Sequence, residues 1–108
     1  MKNFGGGGLH KLMQQANQMQ NKMKKVKEEL NEKEFEAGAG GDAVKVRING
    51  AMKILSVTIK PDVMTAGDIE MLQDLVLTAT NEAIKIARET TEGEMSKITG
   101  GMNMPGLY

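Results

Sequence analysis

The sequence predicts an α+β fold with the order α-β-β-β-α: a three-stranded antiparallel sheet and two long helices. Three observations lead there. Apolar residues recur in steps of three and four along two separate stretches, Leu9 to Leu30 and Ile69 to Ile86. Between them Val44, Val46 and Ile48 alternate with Lys45 and Arg47, the period of a half-buried strand. Asn49-Gly50 comes directly after, and this pair is the strongest short signal for a hairpin.

The first helix is predicted over Leu9 to Glu32. Its apolar positions, Leu9, Leu12, Ala16, Met19, Met23, Val26 and Leu30, make one narrow seam of coiled-coil type. At about 1.5 Å per residue the helix is roughly 35 Å long, too long for a domain of this size to cover completely. Its polar positions are rich in amides and lysines, and Glu28, Glu29 and Glu32 close it in acid. Acid at a helix carboxyl end opposes the macrodipole, so pairing of Glu28 and Glu29 with Lys24 and Lys25 is expected to compensate.

A weak first strand is predicted over Lys33 to Ala39, with Phe35 and Ala37 alternating against Glu34 and Glu36. Gly38, Gly40 and Gly41 break it. The next strand, Ala43 to Ile48, is joined by a two-residue type I′ turn to a third strand that runs to Ile59. That register pairs Ile48 with Ala51 and puts Leu55, Val57 and Ile59 on the face of Val44, Val46 and Ile48. Such a sheet has two open edges and a second face that is only half polar, which invites pairing with a second copy. Pro61 ends the sheet. Thr65-Ala66-Gly67-Asp68 resembles a capping box before a second helix over Asp68 to Thr91, and Gly93 is expected to end or kink that helix. Met71, Leu75, Leu77 and Ile84 widen its apolar face, so it is the predicted cover of the sheet. The domain is thus placed at 9–99, between a flexible glycine-rich start (1–8) and a tail (100–108).

Composition narrows the function. With 108 residues the chain makes one domain. It has no cysteine and one histidine, His10, so neither a nucleophilic triad nor a His/Cys metal site can be assembled. No enzyme activity, cofactor, metal or small-molecule substrate is expected. There are ten methionines, but Met19 and Met23 lie on the seam, and methionine at helical spacing reads as adaptable packing material rather than a soft-metal site. No membrane-spanning run or signal segment is visible, and the expected setting is the cytoplasm. Phe4, Phe35 and Tyr108 are the only aromatics, too few for the stacking platforms of single-strand and RNA binders. Formal net charge is zero, yet residues 1–27 carry six lysines and no acid, while the remainder carries a surplus of six acids. A basic end on a neutral protein points to an anionic partner.

The long amide-rich helix, the glycine break, Val44-Lys45-Val46-Arg47-Ile48-Asn49-Gly50, Ile59-Lys60-Pro61-Asp62, Leu72-Gln73-Asp74-Leu75, Ala79-Thr80-Asn81-Glu82-Ala83 and the ending Gly100-Gly101-Met102-Asn103-Met104-Pro105-Gly106-Leu107-Tyr108 together resemble the YbaB/EbfC family of bacterial nucleoid-associated proteins. The resemblance covers essentially the whole chain. Departures are the long glycine run Gly5–Gly8 and a final Tyr where Phe is more usual. It implies a homodimer joined through the sheets, with helices projecting as the paired arms of a tweezer. It also implies binding of double-stranded DNA in the nucleoid, with a change in DNA conformation and roles in nucleoid organisation and gene regulation.

On that reading Lys11, Lys22, Lys24, Lys25 and Lys27 are the candidate phosphate contacts. Gln14, Gln18 and Asn21 are candidates for backbone or base-edge contacts, and Lys85, Arg88 and Lys97 for a second, weaker set. The lysines flank the seam on both sides, so the sequence leaves open which flank meets DNA. The alternative reading is a protein-interaction module in which the same seam grips a partner's amphipathic helix.

Overall fold

The computed structural model describes residues 8–98. The expectations for the glycine-rich start and for the tail fall on residues outside that range, apart from Gly8. The elements are α1 (Leu9–Glu32), β1 (Glu34–Ala39), β2 (Val44–Asn49), β3 (Ile54–Ile59), α2 (Pro61–Thr65) and α3 (Ile69–Ile98). The predicted α-β-β-β-α order is present, with one short helix added. Its first residue, Pro61, has a fixed φ and no N–H to lose, so it starts a helix as readily as it stops a strand.

The sheet is antiparallel with the order β1-β2-β3. α3 lies across β1 and β2. It comes in close because the residues it buries there are small: Ala79, Ala83 and Ala87 have no accessible surface, and neither do Val44, Val46 and Ile48 beneath them. Gly40, in the turn after β1, extends this fit, since a Cβ there would lie 2.7 Å from the Leu75 side chain. Asp68 caps α3, its Oδ1 accepting from Met71 N at 3.0 Å. The predicted capping box is thereby shifted: Thr65 is not the cap, because its hydroxyl donates to Asp62 O inside α2.

α3 does not end at Gly93 but continues to Ile98. The glycine penalty of about 1 kcal/mol is offset by packing in the last turns of the helix. There Met95 and Ile98 join Met23, Val26 and Leu30 of α1 in a second apolar cluster. Nothing lies within 4 Å of a Cβ built at Gly93. Gly93→Ala is therefore expected to raise stability by about 0.5–1 kcal/mol, read as a higher urea midpoint with an unchanged slope.

The hairpin also departs from its predicted form. Asn49 N donates to Lys53 O and Met52 N to Asn49 O, each at 3.0 Å, so the loop holds three residues. Met52 takes the left-handed conformation (φ 64°) that a two-residue turn would have required of Asn49 and Gly50. The Asn49 side chain accepts from Ala51 N and Lys53 N. The longer loop shifts the register: Val44 pairs with Ile59 and Val46 with Val57, as the face assignment required. An irregularity between Arg47 and Ile48 then brings Ile54, not Leu55, opposite Ile48.

Gly50 is demanded by α1 rather than by the turn. Its N–H donates to Lys33 O at 2.9 Å. A Cβ on it would collide with the Leu30 carbonyl oxygen and lie 2.6 Å from the Leu30 carbonyl carbon. This contact seats the carboxyl end of α1 on the hairpin.

Candidate nucleic-acid interface

α1 has two parts. From Met23 onward its seam is covered by the end of α3. From Leu9 to Lys22 every residue is exposed; the described part of α3 reaches α1 only from Met23 onward. These fourteen residues form a free arm about 20 Å long. No proline or glycine interrupts it, and Leu, Lys, Met and Gln are strong helix formers. The packed part supplies the nucleus that a free segment of this length lacks.

The candidate residues sort onto this framework. Lys11, Gln14, Gln18, Lys22 and Lys25 recur at helical spacing from one flank of the seam round toward its back, Asn21 lies opposite the seam, and all are exposed. Lys24 is exposed on the other flank. Lys27 turns toward α3 and lines a cleft of about 270 Å³ together with Arg88, over a floor that includes Leu30 and Met95. Lys85 is exposed on α3. Lys97 is drawn into an ion pair with Glu94 at 3.2 Å. Lys27 and Arg88 are brought together, then, while Lys85 lies on the part of α3 that covers the sheet and Lys97 is engaged by Glu94.

Electrostatically the arm is unopposed. The ion pairs among the described residues join Lys45 to Glu36, Arg47 to Glu34 and Lys97 to Glu94. The expected pairs of Lys24 with Glu28 and Lys25 with Glu29 are not formed. Exposed side chains of this kind gain little from closing such pairs, which the entropy of holding two long chains offsets. All five lysines of α1 therefore keep their charge directed at solvent.

The cleft at the foot of the arm escaped the sequence reading. Asn31, Gly50, Met52, Thr91 and Glu92 complete its lining. Its only local signal was Asn49-Gly50, which also reads as an ordinary turn. Among the described residues no group of His, Cys, Asp or Glu is placed to hold a metal ion, and no helix is long and apolar enough to cross a membrane.

Residues 5–102 match the model of the YbaB/EbfC DNA-binding family. The chain belongs to the YbaB/EbfC family. It is 56% identical over 104 residues to a nucleoid-associated protein of Clostridium novyi, covering 96% of this chain and 91% of the relative. A nucleoid-associated protein of Clostridium kluyveri is 51% identical over 107 residues, covering 98% and 94%. In fold, this YbaB/EbfC chain is similar to the crystal structure of an uncharacterised Helicobacter pylori protein. The TM-score is 0.71 at 19% identity, over 82% of this chain and 92% of that one. The family is a DNA-binding one, and the acid-free arm is the feature of this member that suits a polyanion.

Proposed function

We propose that this protein is a cytoplasmic, nucleoid-associated protein that binds double-stranded DNA as a homodimer. Binding alters DNA conformation and contributes to nucleoid organisation and gene regulation. The observation that carries the reading is the run of α1 from Lys11 to Lys27, whose five lysines are exposed and in no ion pair among the described residues, with no acid among them. The face bearing Lys11, Gln14, Gln18, Asn21, Lys22 and Lys25 lies against phosphates, and Lys24, Lys27 and Arg88 extend the contact around the foot of the arm. Lysine and amide contacts of this kind position a protein and read little sequence.

The homodimer is supported by β3. Val46 is fully buried, yet its cross-strand partner Val57 is 47% exposed, and Ile54 and Leu55 are open as well. An apolar, unpaired edge strand is a template for a second copy. Pairing through β3 carries two arms on one body, and engagement of a duplex at two separated places bends or stiffens the DNA between them.

A titration of duplex DNA at several salt concentrations tests the reading. With three or four phosphates engaged per subunit, log affinity falls with log salt at a slope of roughly −5 to −7 for the dimer. Replacing Lys22, Lys24, Lys25 and Lys27 together by Gln is expected to remove more than half of that slope. Salt-independent binding, or an unchanged slope in the variant, would sink the proposal.

A further inference from the structure

We infer that the exposed seam of α1, Leu9 to Met19, docks the same segment of a second copy in antiparallel orientation, joining neighbouring dimers on one duplex. This rests on the DNA-binding dimer proposed above.

The seam keeps its coiled-coil spacing outside the part that packs with Met95 and Ile98, with Leu9 54% and Leu12 63% exposed. Such spacing exists to receive another helix. The flanking positions choose which one. In a coiled coil they usually carry the charges that select a partner, and here Met13, Gln15 and Gln20 carry none. A charged partner helix finds no counter-charge beside this seam. A second copy meets no like charge at these three positions, and amide side chains both donate and accept, so a row of them complements its own reverse. Antiparallel overlap places Leu9 against Met19 and Leu12 against Ala16, with the small Ala16 admitting close approach. The lysine cluster from Lys22 onward lies outside the overlap.

The seam also points away from the Lys11, Gln14, Gln18 and Lys25 side, so an arm lying on DNA keeps it free. Four such layers fall well short of the roughly 1,200 Å² of a stable interface between free proteins. The contact therefore forms between copies that DNA already holds side by side, where effective concentration is high. Its product is cooperative coverage of the duplex.

The test uses the full chain and two duplexes, a short one that holds a single dimer and one several times longer. Wild-type protein is expected to bind the long duplex cooperatively, half-saturating at an about fivefold or more lower concentration than on the short one. Leu12→Gln combined with Ala16→Gln is expected to match wild type on the short duplex and lose the cooperative gain; both positions are exposed, so the fold does not depend on them. Retained cooperativity in the variant, or an equal loss on the short duplex, overturns the inference. Wild-type binding to both duplexes without cooperativity overturns it alone, whereas binding to neither overturns the DNA reading as well.

Cross-linking identifies the occupant. The chain has no native cysteine, so Leu12→Cys and Ala16→Cys populations, mixed on the long duplex, are expected to join by a 12–16 disulfide. Absence of that cross-link, with the introduced thiol shielded from alkylation on the short duplex, means that the seam is covered within one copy, for instance by residues 99–108. That result overturns the inference.

Discussion

Gly50→Ala is expected to loosen the seat of the arm and to destabilise the protein by about 3 kcal/mol. Its added Cβ would collide with the backbone of Leu30 and lie 3.2 Å from Asn31 N. The obstruction is main chain at the last turn of α1, so no rotamer change relieves it. Either α1 lifts off the hairpin or the three-residue loop deforms. The first breaks the Gly50 N–H bond to Lys33 O and opens the Met23, Leu30, Met95 cluster. The second disturbs the two bonds that the Asn49 side chain accepts. Urea denaturation measures the loss. Hydrogen exchange separates the routes, because lifting α1 speeds exchange along that helix while β2 stays protected. A stability change under about 0.5 kcal/mol, the range of ordinary surface substitutions, would mean that the contact is not made in solution.

Val57→Asp is expected to give a protein of half the solution mass with at least a hundredfold weaker binding to duplex DNA. Val57 faces the same side of the sheet as buried Val46 but lies beyond the cover of α3. In the proposed dimer it is enclosed, and an unpaired carboxylate there carries a large desolvation cost. In the monomer it is half exposed already, so the fold itself survives. Separating the subunits turns a two-armed grip into a one-armed contact, and loss of such bivalency weakens binding by about 10²–10⁴-fold. Light scattering gives the mass and circular dichroism the retained fold. An unchanged mass would place the dimer contact elsewhere; an unchanged affinity at half mass would show that one arm suffices.

The parts of this molecule that are legible in the sequence are those that depend on local periodicity. Both long helices, the alternation in β2 and the shared face of Val57 and Ile59 all come from spacing. The acid-free run on α1 is equally local, since it needs only counting and a helical wheel. The hidden parts depend on contacts between distant segments. Gly50 reads as a turn residue, whereas a carbonyl of α1 requires it. Gly93 reads as a stop or a kink, whereas Met95 and Ile98, held by Met23 and Val26, carry the helix through. The hairpin register escapes local reading because Met52 accepts a positive φ that a two-residue turn assigns to Asn49 and Gly50. Arg88 meets Lys27 only because α3 runs past the sheet and alongside α1.

The two ion pairs on the outer face of the sheet have a consequence at long range. Glu36 holds Lys45 and Glu34 holds Arg47, so two of the sheet's cations are matched on the sheet itself, and the acids in excess lie at the carboxyl end of α1 and along α3. On the arm no cation is matched among the described residues. A molecule of zero net charge is thereby an electric dipole with its positive pole on α1. In the field of a duplex it feels little net pull but a definite torque, which turns it arm-first before contact. Collisions that present the acid-rich α3 first are repelled, so the same charges that grip the phosphates also aim the approach.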